Sequence, residues 1–179
     1  MSTPSLHGFR SAMDEAIDTP RLALRLFTDA DTTQLHEIFS DPETHTIGEG
    51  PLTNPAQTRE WIERRIATRA ATGLCWYAIR EHDTGLLLGN CGIFPGRTGN
   101  AEPEIGYEIR RSHQGHGFAR EAAAAVLAEA LHTGIPRIWA TIRPHNIASL
   151  RVATSIGLRH HSLRADTKGP LTYLVSHPD

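Results

Sequence analysis

Residues Glu102 to Glu121, EPEIGYEIRRSHQGHGFARE, contain the pattern from which the architecture of the chain is inferred. A strand-like half is followed by a loop with two glycines, and the loop leads directly into an alanine-rich helix pattern over 118–132. The first N–H groups of a helix lack intrahelical partners and, with the helix dipole, attract phosphate oxygens. Gly115 and Gly117 allow the backbone to approach a pyrophosphate closely. The stretch therefore predicts a phosphate-binding loop.

Two other kinds of phosphate loop do not fit these residues. A Rossmann loop would have a further glycine where the chain has Arg120, and an acid at the end of the next strand, which residues 139–142 do not provide. A P-loop would need Gly-Lys followed by Ser or Thr, which the sequence lacks. The glycines alone would also suit a tight connection that binds nothing.

Apolar periodicity extends the pattern in both directions. It predicts strands over 21–27, 74–80, 86–94, 102–110 and 137–143 and two more within 158–176, and helices from 29, over 58–72, 118–132 and 146–156. Three adjacent strands before the long helix imply antiparallel pairing, and the unit 102–143 implies one parallel, right-handed crossover. The fold class is therefore α+β (mixed α/β). We expect residues 1–18 to form a loosely ordered arm and 19–179 a single domain.

Composition limits the classes of function. The 179 residues carry a formal net charge of -2, which argues against a dedicated nucleic-acid binder. No apolar run approaches the roughly 20 residues that span a bilayer, and the N-terminus has no secretory signal pattern. Cys75 and Cys91 lie in strand-like stretches and are interpreted as buried free thiols, with a disulfide or a catalytic cysteine as alternatives. We expect a cytoplasmic protein with no membrane or nucleic-acid partner.

Several motifs resemble one known family. Gln114-x-x-Gly117-x-Ala119 resembles the Gln/Arg-x-x-Gly-x-Gly/Ala signature of the GNAT superfamily of acetyltransferases. The surrounding motifs resemble its RimJ/RimL branch, which acetylates N-terminal amines of ribosomal proteins and other small or peptidyl amines; they are Thr19-Pro-Arg-Leu-x-Leu-Arg25, Glu104-Ile-Gly-Tyr107, Ala119-Arg-Glu-Ala122, Asn146-x-x-Ser149 and Ile156-Gly157-Leu158. The resemblance covers about residues 19–165.

This resemblance implies the GNAT fold, a central mixed, mostly antiparallel sheet of six to seven strands flanked by about four helices. Its fourth and fifth strands, here 102–110 and 137–143, splay apart to form a cleft for the pantetheine arm. The implied cofactor is acetyl-CoA, used as co-substrate. Its expected contacts are Ile109, Arg110, Arg111, Gln114, Gly115, His116, Gly117, Phe118, Ala119, Arg120, Asn146, Ser149 and Arg151. His113 and His116 lack a cluster of further ligands, so we expect no metal.

The implied reaction is acetyl transfer to a primary amine, either a protein N-terminus or a small molecule. We expect Glu104 to act as the base, with Glu102 and Glu108 as alternatives on the same strand face unless a bulge near Gly106 changes the alternation. Backbone N–H groups near Tyr107, Glu108 or Ile109 would stabilise the oxyanion.

The proton donor is less clearly defined. Many superfamily members have a tyrosine seven residues after the asparagine, and this chain has Ala153 there. Ser149 is the remaining hydroxyl of the motif and is the expected catalytic acid, although it would equally suit a cap or a CoA contact. The missing tyrosine keeps a second hypothesis open, a catalytically silent CoA-binding regulatory module.

Acceptor choice is assigned to the loop 40–55 and the helix after it. Trp61, Glu49 and Tyr107 are the candidate substrate-binding residues, and Trp61 would equally suit the core. The resemblance also leaves a homodimer open, because relatives form one.

Overall fold

The protein is described by a computed structural model, which covers residues 11–44 and 50–177. In these residues the strands are β1 Ala16–Asp18, β2 Leu22–Leu26, β3 Trp76–Glu81, β4 Leu87–Phe94, β5 Glu104–Ile109, β6 Trp139–Ile142, β7 Arg159–Asp166 and β8 Gly169–Val175. The helices are α1 Thr32–Phe39, α2 Pro55–Thr72, α3 Phe118–His132 and α4 Ile147–Ser155. No helix in this part of the chain is long and apolar enough to cross a membrane.

All eight described strands form one sheet in the order β1-β2-β3-β4-β5-β6-β8-β7. Every neighbouring pair is antiparallel except β5 and β6, which are parallel and are joined through α3. The mixed, mostly antiparallel sheet and the single crossover confirm the predicted fold class. The strand count exceeds the expected six to seven because β1 adds an edge strand.

The sheet separates two layers of helices. Tyr77, Cys91, Ile105 and Ile142 belong to the larger core, which α3 covers with Ala122, Ala123 and Val126. Trp76, Ala78 and Leu87 belong to the second core, which α1 and α2 cover with Leu35, Phe39 and Ile62. Because successive strand residues face opposite sides, β3 and β4 supply residues to both cores.

Local sequence sets the bounds of α2. The Asn54 side chain accepts the N–H of Gln57 at 3.2 Å, Pro55 occupies the first helical position, and Gly73 ends the helix with a φ of 74°. The helix therefore begins three residues before the predicted position 58. A 3-10 turn over Asp29–Asp31 precedes α1, so the regular helix starts at Thr32.

The segment before β2 differs from the expected loose arm over its described part, residues 11–18. Ala16–Asp18 pairs with β2, and Met13 is only 2% exposed within the main core. The N–H of Met13 donates to the Gly73 carbonyl at 3.0 Å, and the Tyr77 hydroxyl donates to the Asp14 carbonyl at 2.6 Å. Three residues are too short to give a strand pattern, so periodicity did not reveal this edge.

We expect Met13→Ala to lower the free energy of unfolding by about 2–5 kcal/mol, because it leaves a cavity in a closed core. Urea denaturation gives the value, and Ser11→Ala, at an exposed position of the same segment, is the matched control. Equal midpoints for the two variants would mean that this segment contributes nothing to the stability of the domain.

Candidate active site

The neighbouring strands β5 and β6 are joined only at their beginnings. In the described chain their register holds one pair, Glu104 with Trp139, next to a hydrogen bond from the Trp139 N–H to the Pro103 carbonyl at 2.9 Å. Beyond that pair β5 continues beside β4, whereas β6 continues beside β8. The two strands therefore bound a cleft that is closed at Glu104 and open toward their carboxyl ends, as the family resemblance implied.

The predicted phosphate loop lies at the open end of this cleft. Gly115 and Gly117 have φ angles of 80° and 82°, in the left-handed region that favours glycine. A Cβ placed on Gly115 would meet no atom within 4 Å, so no side chain blocks the loop there. Among the described residues, none accepts a hydrogen bond from the backbone N–H groups of 115–120. These donors, at the N-terminus of α3, form a cradle suited to phosphate oxygens.

Side chains hold this loop in shape rather than fill it. The Gln114 Nε2 donates to the Ile109 carbonyl at 2.9 Å, so the loop folds back onto the end of β5. The His116 carbonyl accepts from Arg21, whose guanidinium also pairs with Glu121 at 2.7 Å. Arg21 further stacks on the ring of Phe118 at 4.4 Å. The loop is thus fixed to both β5 and α3.

The four arginines predicted to contact the cofactor differ in their surroundings. Arg110 pairs with Glu37 of α1 at 2.8 Å, and Arg111 pairs with Asp41 at 3.2 Å and Glu43 at 2.8 Å. Both guanidinium groups are therefore partly neutralised by acids of α1 and of the segment after it. Arg120, on the first turn of α3, is exposed, and so is Arg151 on α4.

Glu104 lies at the closed end of the cleft and is only 1% exposed. One carboxylate oxygen accepts the backbone N–H of Arg97, and the other accepts the Thr141 hydroxyl at 2.6 Å. Thr141 belongs to β6, so this carboxylate connects the two walls of the cleft. A buried carboxylate requires such donors.

The β4–β5 loop that presents the Arg97 N–H is itself anchored. The Arg97 guanidinium donates to Asp166 of β7 at 3.1 Å, and Asp166 also accepts two hydrogen bonds from Arg143 at 2.8 Å. The bonds from Arg143, with the Lys168 N–H and Arg97, lower the pKa of Asp166 to about 2. The acid therefore stays ionised and ties the β4–β5 loop to the β7–β8 hairpin.

Strand alternation places the other carboxylates. The β4–β5 register runs without a break from Gly89 opposite Ile109 to Phe94 opposite Glu104, so no bulge occurs at Gly106. Glu108 is consequently on the same face as Glu104 and is also buried. Glu102 lies before β5 and is engaged by Trp139 Nε1 at 2.8 Å and by Arg137 at 3.2 Å.

The same alternation orients the backbone of β5. The Arg110 N–H donates to Leu88 of β4, whereas the Pro103 carbonyl faces β6, so odd-numbered residues direct their N–H groups toward the cleft. Of the three oxyanion donors predicted, Tyr107 and Ile109 satisfy this condition, and the N–H of Glu108 faces β4.

Tyr107, Ser149 and Asn146 form one hydrogen-bonded cluster on the opposite face of β5 from Glu104. The Tyr107 hydroxyl donates to the Ser149 carbonyl at 2.7 Å, and the Ser149 hydroxyl donates to the Tyr107 oxygen at 3.3 Å. Asn146 caps α4 by accepting the Ser149 N–H at 3.1 Å. Burial raises the pKa of Tyr107 to about 12, although the bond with Ser149 opposes it. Both hydroxyls therefore stay protonated at neutral pH.

The predicted acceptor residues are dispersed. Trp61 is half-buried and packs edge-on against Phe27, Phe39 and Trp76 at centroid distances of 5.5, 4.9 and 5.4 Å, so it belongs to the second core. Glu49 lies outside the described residues. Tyr107 is on the α4 side of the sheet, away from Trp61.

The known proteins most relevant to this geometry are acetyltransferases. The family model described as "Acetyltransferase (GNAT) domain" matches residues 21–159. The chain belongs to the GNAT acetyltransferase family. A relative, the uncharacterized protein YkkB of Bacillus subtilis, is 37% identical over 145 residues, covering 79% of this chain and 84% of its own.

Solved structures of similar fold support the same family. An acetyltransferase from Agrobacterium tumefaciens has a TM-score of 0.80 and 26% identity, over 99% of this chain and 100% of its own. RimL, a ribosomal L7/L12 alpha-N-protein acetyltransferase solved in complex with coenzyme A, has a TM-score of 0.77 and 20% identity, over 90% of this chain and 97% of its own. At that identity the second likeness shows the fold alone.

Several residues of this GNAT domain were missed by sequence reasoning. Arg21 and Thr141 reach the site from distant parts of the chain, and nothing in the local sequence indicates their contacts. The glycine at position 96 is a weak sequence signal for a close approach to Glu104. A Cβ there would lie 2.3 Å from a Glu104 carboxylate oxygen. The described residues contain no group of three or more His, Cys, Asp or Glu side chains arranged to hold a metal.

Alkaline unfolding tests the environment of Tyr107. Its folded pKa of about 12 exceeds the unfolded value of about 10, so the stabilisation is complete below pH 10 and is lost as the pH rises toward 12. Urea denaturation at pH 8 and near pH 11 gives the drop in the free energy of unfolding over this range. We expect the drop to be about 1 kcal/mol smaller for Tyr107→Phe than for the wild type. Burial also raises the pKa of Tyr77, but the wild type and Tyr107→Phe both contain this residue, so its effect cancels in the comparison. Parallel pH profiles would contradict this assignment.

Proposed function

We propose that this protein transfers the acetyl group of acetyl-CoA to a primary amine. The single observation that supports this most is the open glycine loop at the N-terminus of α3, whose backbone donors face the open end of the β5–β6 cleft. The residues fit the implied co-substrate, because a phosphate cradle and an unpaired strand edge lie next to each other. Bound acetyl-CoA would supply a thioester whose carbonyl carbon forms a C–N bond while the C–S bond breaks.

Binding would use mostly backbone atoms. The N–H groups of 115–120 would hold the phosphates, and the cleft-facing groups of β5 would pair with an extended arm as an added strand does. The exposed cations Arg120 and Arg151 would supply side-chain charge. This arrangement needs few specific side chains along the arm.

The candidate proton acceptor and proton donors would act from opposite faces of the sheet. Glu104 would take the proton that the attacking amine loses, directly or through a water molecule, and Glu108 is the alternative base on the same face. The hydroxyls of Ser149 and Tyr107 lie on the α4 face and would return a proton to the leaving thiolate. The N–H groups of Tyr107 and Ile109 would stabilise the oxyanion between them.

Three finer expectations remain proposals. We place the chain in the RimJ/RimL branch, on the motifs around Glu104 and Asn146. A cytoplasmic location agrees with Cys75 and Cys91, which are both free and buried. A homodimer is retained from the family resemblance alone.

The decisive experiment is a screen of amines with acetyl-CoA, detecting the released thiol and the mass of the acetylated product. The panel contains short peptides with varied N-termini, amino acids, amino-acid amides, polyamines and aminoglycosides. Thiol release that depends on an amine supports the enzyme. Tight CoA binding without turnover on any amine would support the silent regulatory module instead. This alternative has a structural basis, because both carboxylate oxygens of Glu104 already accept a hydrogen bond.

The loop is tested by a pair of substitutions at Gly115. Asp and Asn both tolerate its positive φ and have the same shape, so Gly115→Asp and Gly115→Asn differ mainly in charge. We expect the carboxylate to raise the Kd for CoA by at least about tenfold more than the amide does, because it repels the phosphates. Calorimetry gives both constants. An equal effect of the two substitutions would place the phosphates elsewhere.

The base is tested by Glu104→Gln. The amide keeps the shape and can still accept the Arg97 N–H, while the Thr141 hydroxyl turns to accept from it. We expect kcat to fall by about 100-fold or more with the Kd for CoA unchanged, because only proton transfer is lost. Glu102→Gln is the matched control, and Glu108→Gln tests the alternative. Normal turnover in Glu104→Gln would refute the assignment.

A further inference from the structure

Aromatic rings cover β4 and β5 on the side of α1 and α2. The indole of Trp76 lies flat across these strands, since a Cβ on Gly92 would be 2.6 Å from its Cγ and one on Gly106 would be 2.8 Å from its Cη2. Trp76 Nε1 donates to Asn90 Oδ1 at 2.9 Å, which fixes the orientation of the ring. Phe94 packs beside it, with ring centroids 5.2 Å apart. The rings therefore extend to the strand that bounds the cleft.

Arg65 of α2 places its guanidinium over these rings. Its Cζ lies 4.5 Å from the Trp76 centroid, 4.6 Å from that of Trp61 and 6.0 Å from that of Phe94. Its Nε is buried without a hydrogen-bond partner, and no ion pair or hydrogen bond joins the guanidinium to another described residue. Burial, together with the charge of Arg64, lowers the pKa of Arg65 to about 10.

This lack of an acidic partner distinguishes Arg65 from other partly buried arginines of the described chain. Arg69, Arg110 and Arg143 each pair with a carboxylate at 2.8 Å. A partly desolvated cation without a counter-charge is unfavourable, and an anion that binds there would relieve the cost. Stacking on aromatic faces offsets only part of it.

An anion can reach this guanidinium. A cavity of about 250 Å³ opens beside it, between α2 and the ends of β2 and β3; its other lining residues are Leu26, Phe27, Ile66, Arg69, Ala70 and Trp76. Arg69 is already paired with Glu15 at 2.8 Å, which leaves Arg65 as the unpaired cation of the lining. One positive charge suits one carboxylate better than a phosphate dianion, and the fork of the guanidinium matches carboxylate geometry.

This position is close to the cleft. Only the layer of aromatic rings separates Arg65 from Gly106, which lies on β5 between the cleft-facing residues Ile105 and Tyr107. The buried carboxylates of Glu104 and Glu108 belong to the same face of the sheet. This face therefore offers acids at the strand that bounds the cleft and one unpaired cation over the neighbouring rings.

We propose that the acceptor is a small amine that carries a carboxylate, bound through Arg65 with its apolar part against Trp76, which lines the cavity. This inference rests on the proposed acetyl transfer and narrows its acceptor class to amino-acid-like molecules. The amine would lie toward Glu104 and the carboxylate toward α2. Polycationic acceptors, such as polyamines and aminoglycosides, do not suit a face that presents an unpaired guanidinium.

The test compares phenylalanine, methionine and leucine with their primary amides as acceptors. The two members of a pair differ in the carboxylate, and the amide has the more easily deprotonated amine, so any intrinsic bias favours the amide. We expect kcat/KM to be at least about tenfold higher for the carboxylates, which corresponds to one charge-assisted hydrogen-bonded contact. Equal or better turnover of the amides would overturn the proposal.

Variants assign this preference to Arg65. Arg65→Gln should abolish the preference and Arg65→Lys should retain part of it, while Arg64→Gln, an exposed neighbour on the same helix, should leave it intact. Unchanged CoA affinity and melting temperature show that each variant is folded. A preference that survives in Arg65→Gln would exclude Arg65 as the carboxylate site.

A binding measurement separates failure of this inference from failure of the proposed function. Calorimetry with N-acetylphenylalanine and its amide, in the presence of CoA, reads carboxylate recognition without turnover. If no amine is acetylated, the proposed function fails. The carboxylate site would still be supported if the wild type binds the amide more weakly than N-acetylphenylalanine and Arg65→Gln binds the two ligands equally. Equal binding of both ligands to the wild type would overturn it.

Discussion

The closed end of the β5–β6 cleft is the constraint on which the site depends. Two parallel neighbours would normally stay paired along their length, yet here the register holds at Glu104 and Trp139 in the described chain. The Glu104 carboxylate is buried and accepts from the Arg97 N–H and the Thr141 hydroxyl, so it joins the β4–β5 loop to β6. A buried charge is tolerated only with such donors, so the carboxylate and this strand junction require each other.

The divergence of β5 and β6 after Glu104 positions the cleft edge, the glycine loop and the side chains of β5. Because β5 is released from β6 on one side but stays paired with β4, its cleft edge is rigid and unpaired. The loop and the N-terminus of α3 then occur where the opening is widest. Strand alternation sends Glu104 and Glu108 toward α1 and α2, and Tyr107 toward Ser149. A single sheet thus separates two chemical environments by the thickness of one strand.

Local patterns predicted the parts that depend on local physics. The bounds 118–132 of α3, the parallel crossover and the glycine loop follow from periodicity, capping and backbone freedom, and the structure contains them. Contacts between distant segments had no such signal. Arg110 and Arg111 were predicted to contact the cofactor, and their ion pairs with acids on α1 and after it had no local signal in the sequence. The edge strand Ala16–Asp18 and the partners of Glu104 were missed for the same reason.

The distribution of charge separates two kinds of recognition in this domain. Around the loop Arg21, Arg110 and Arg111 are already paired with carboxylates, so attraction for phosphate depends chiefly on the N–H groups and the helix dipole, whose position the fold fixes, with Arg120 as an exposed cation on the same turn. On the opposite face, Arg65 retains its full charge in a setting of aromatic rings. A fixed backbone cradle suits a phosphate-bearing co-substrate, whereas Arg65, a side chain without an acidic partner, would select the acceptor under the carboxylate proposal.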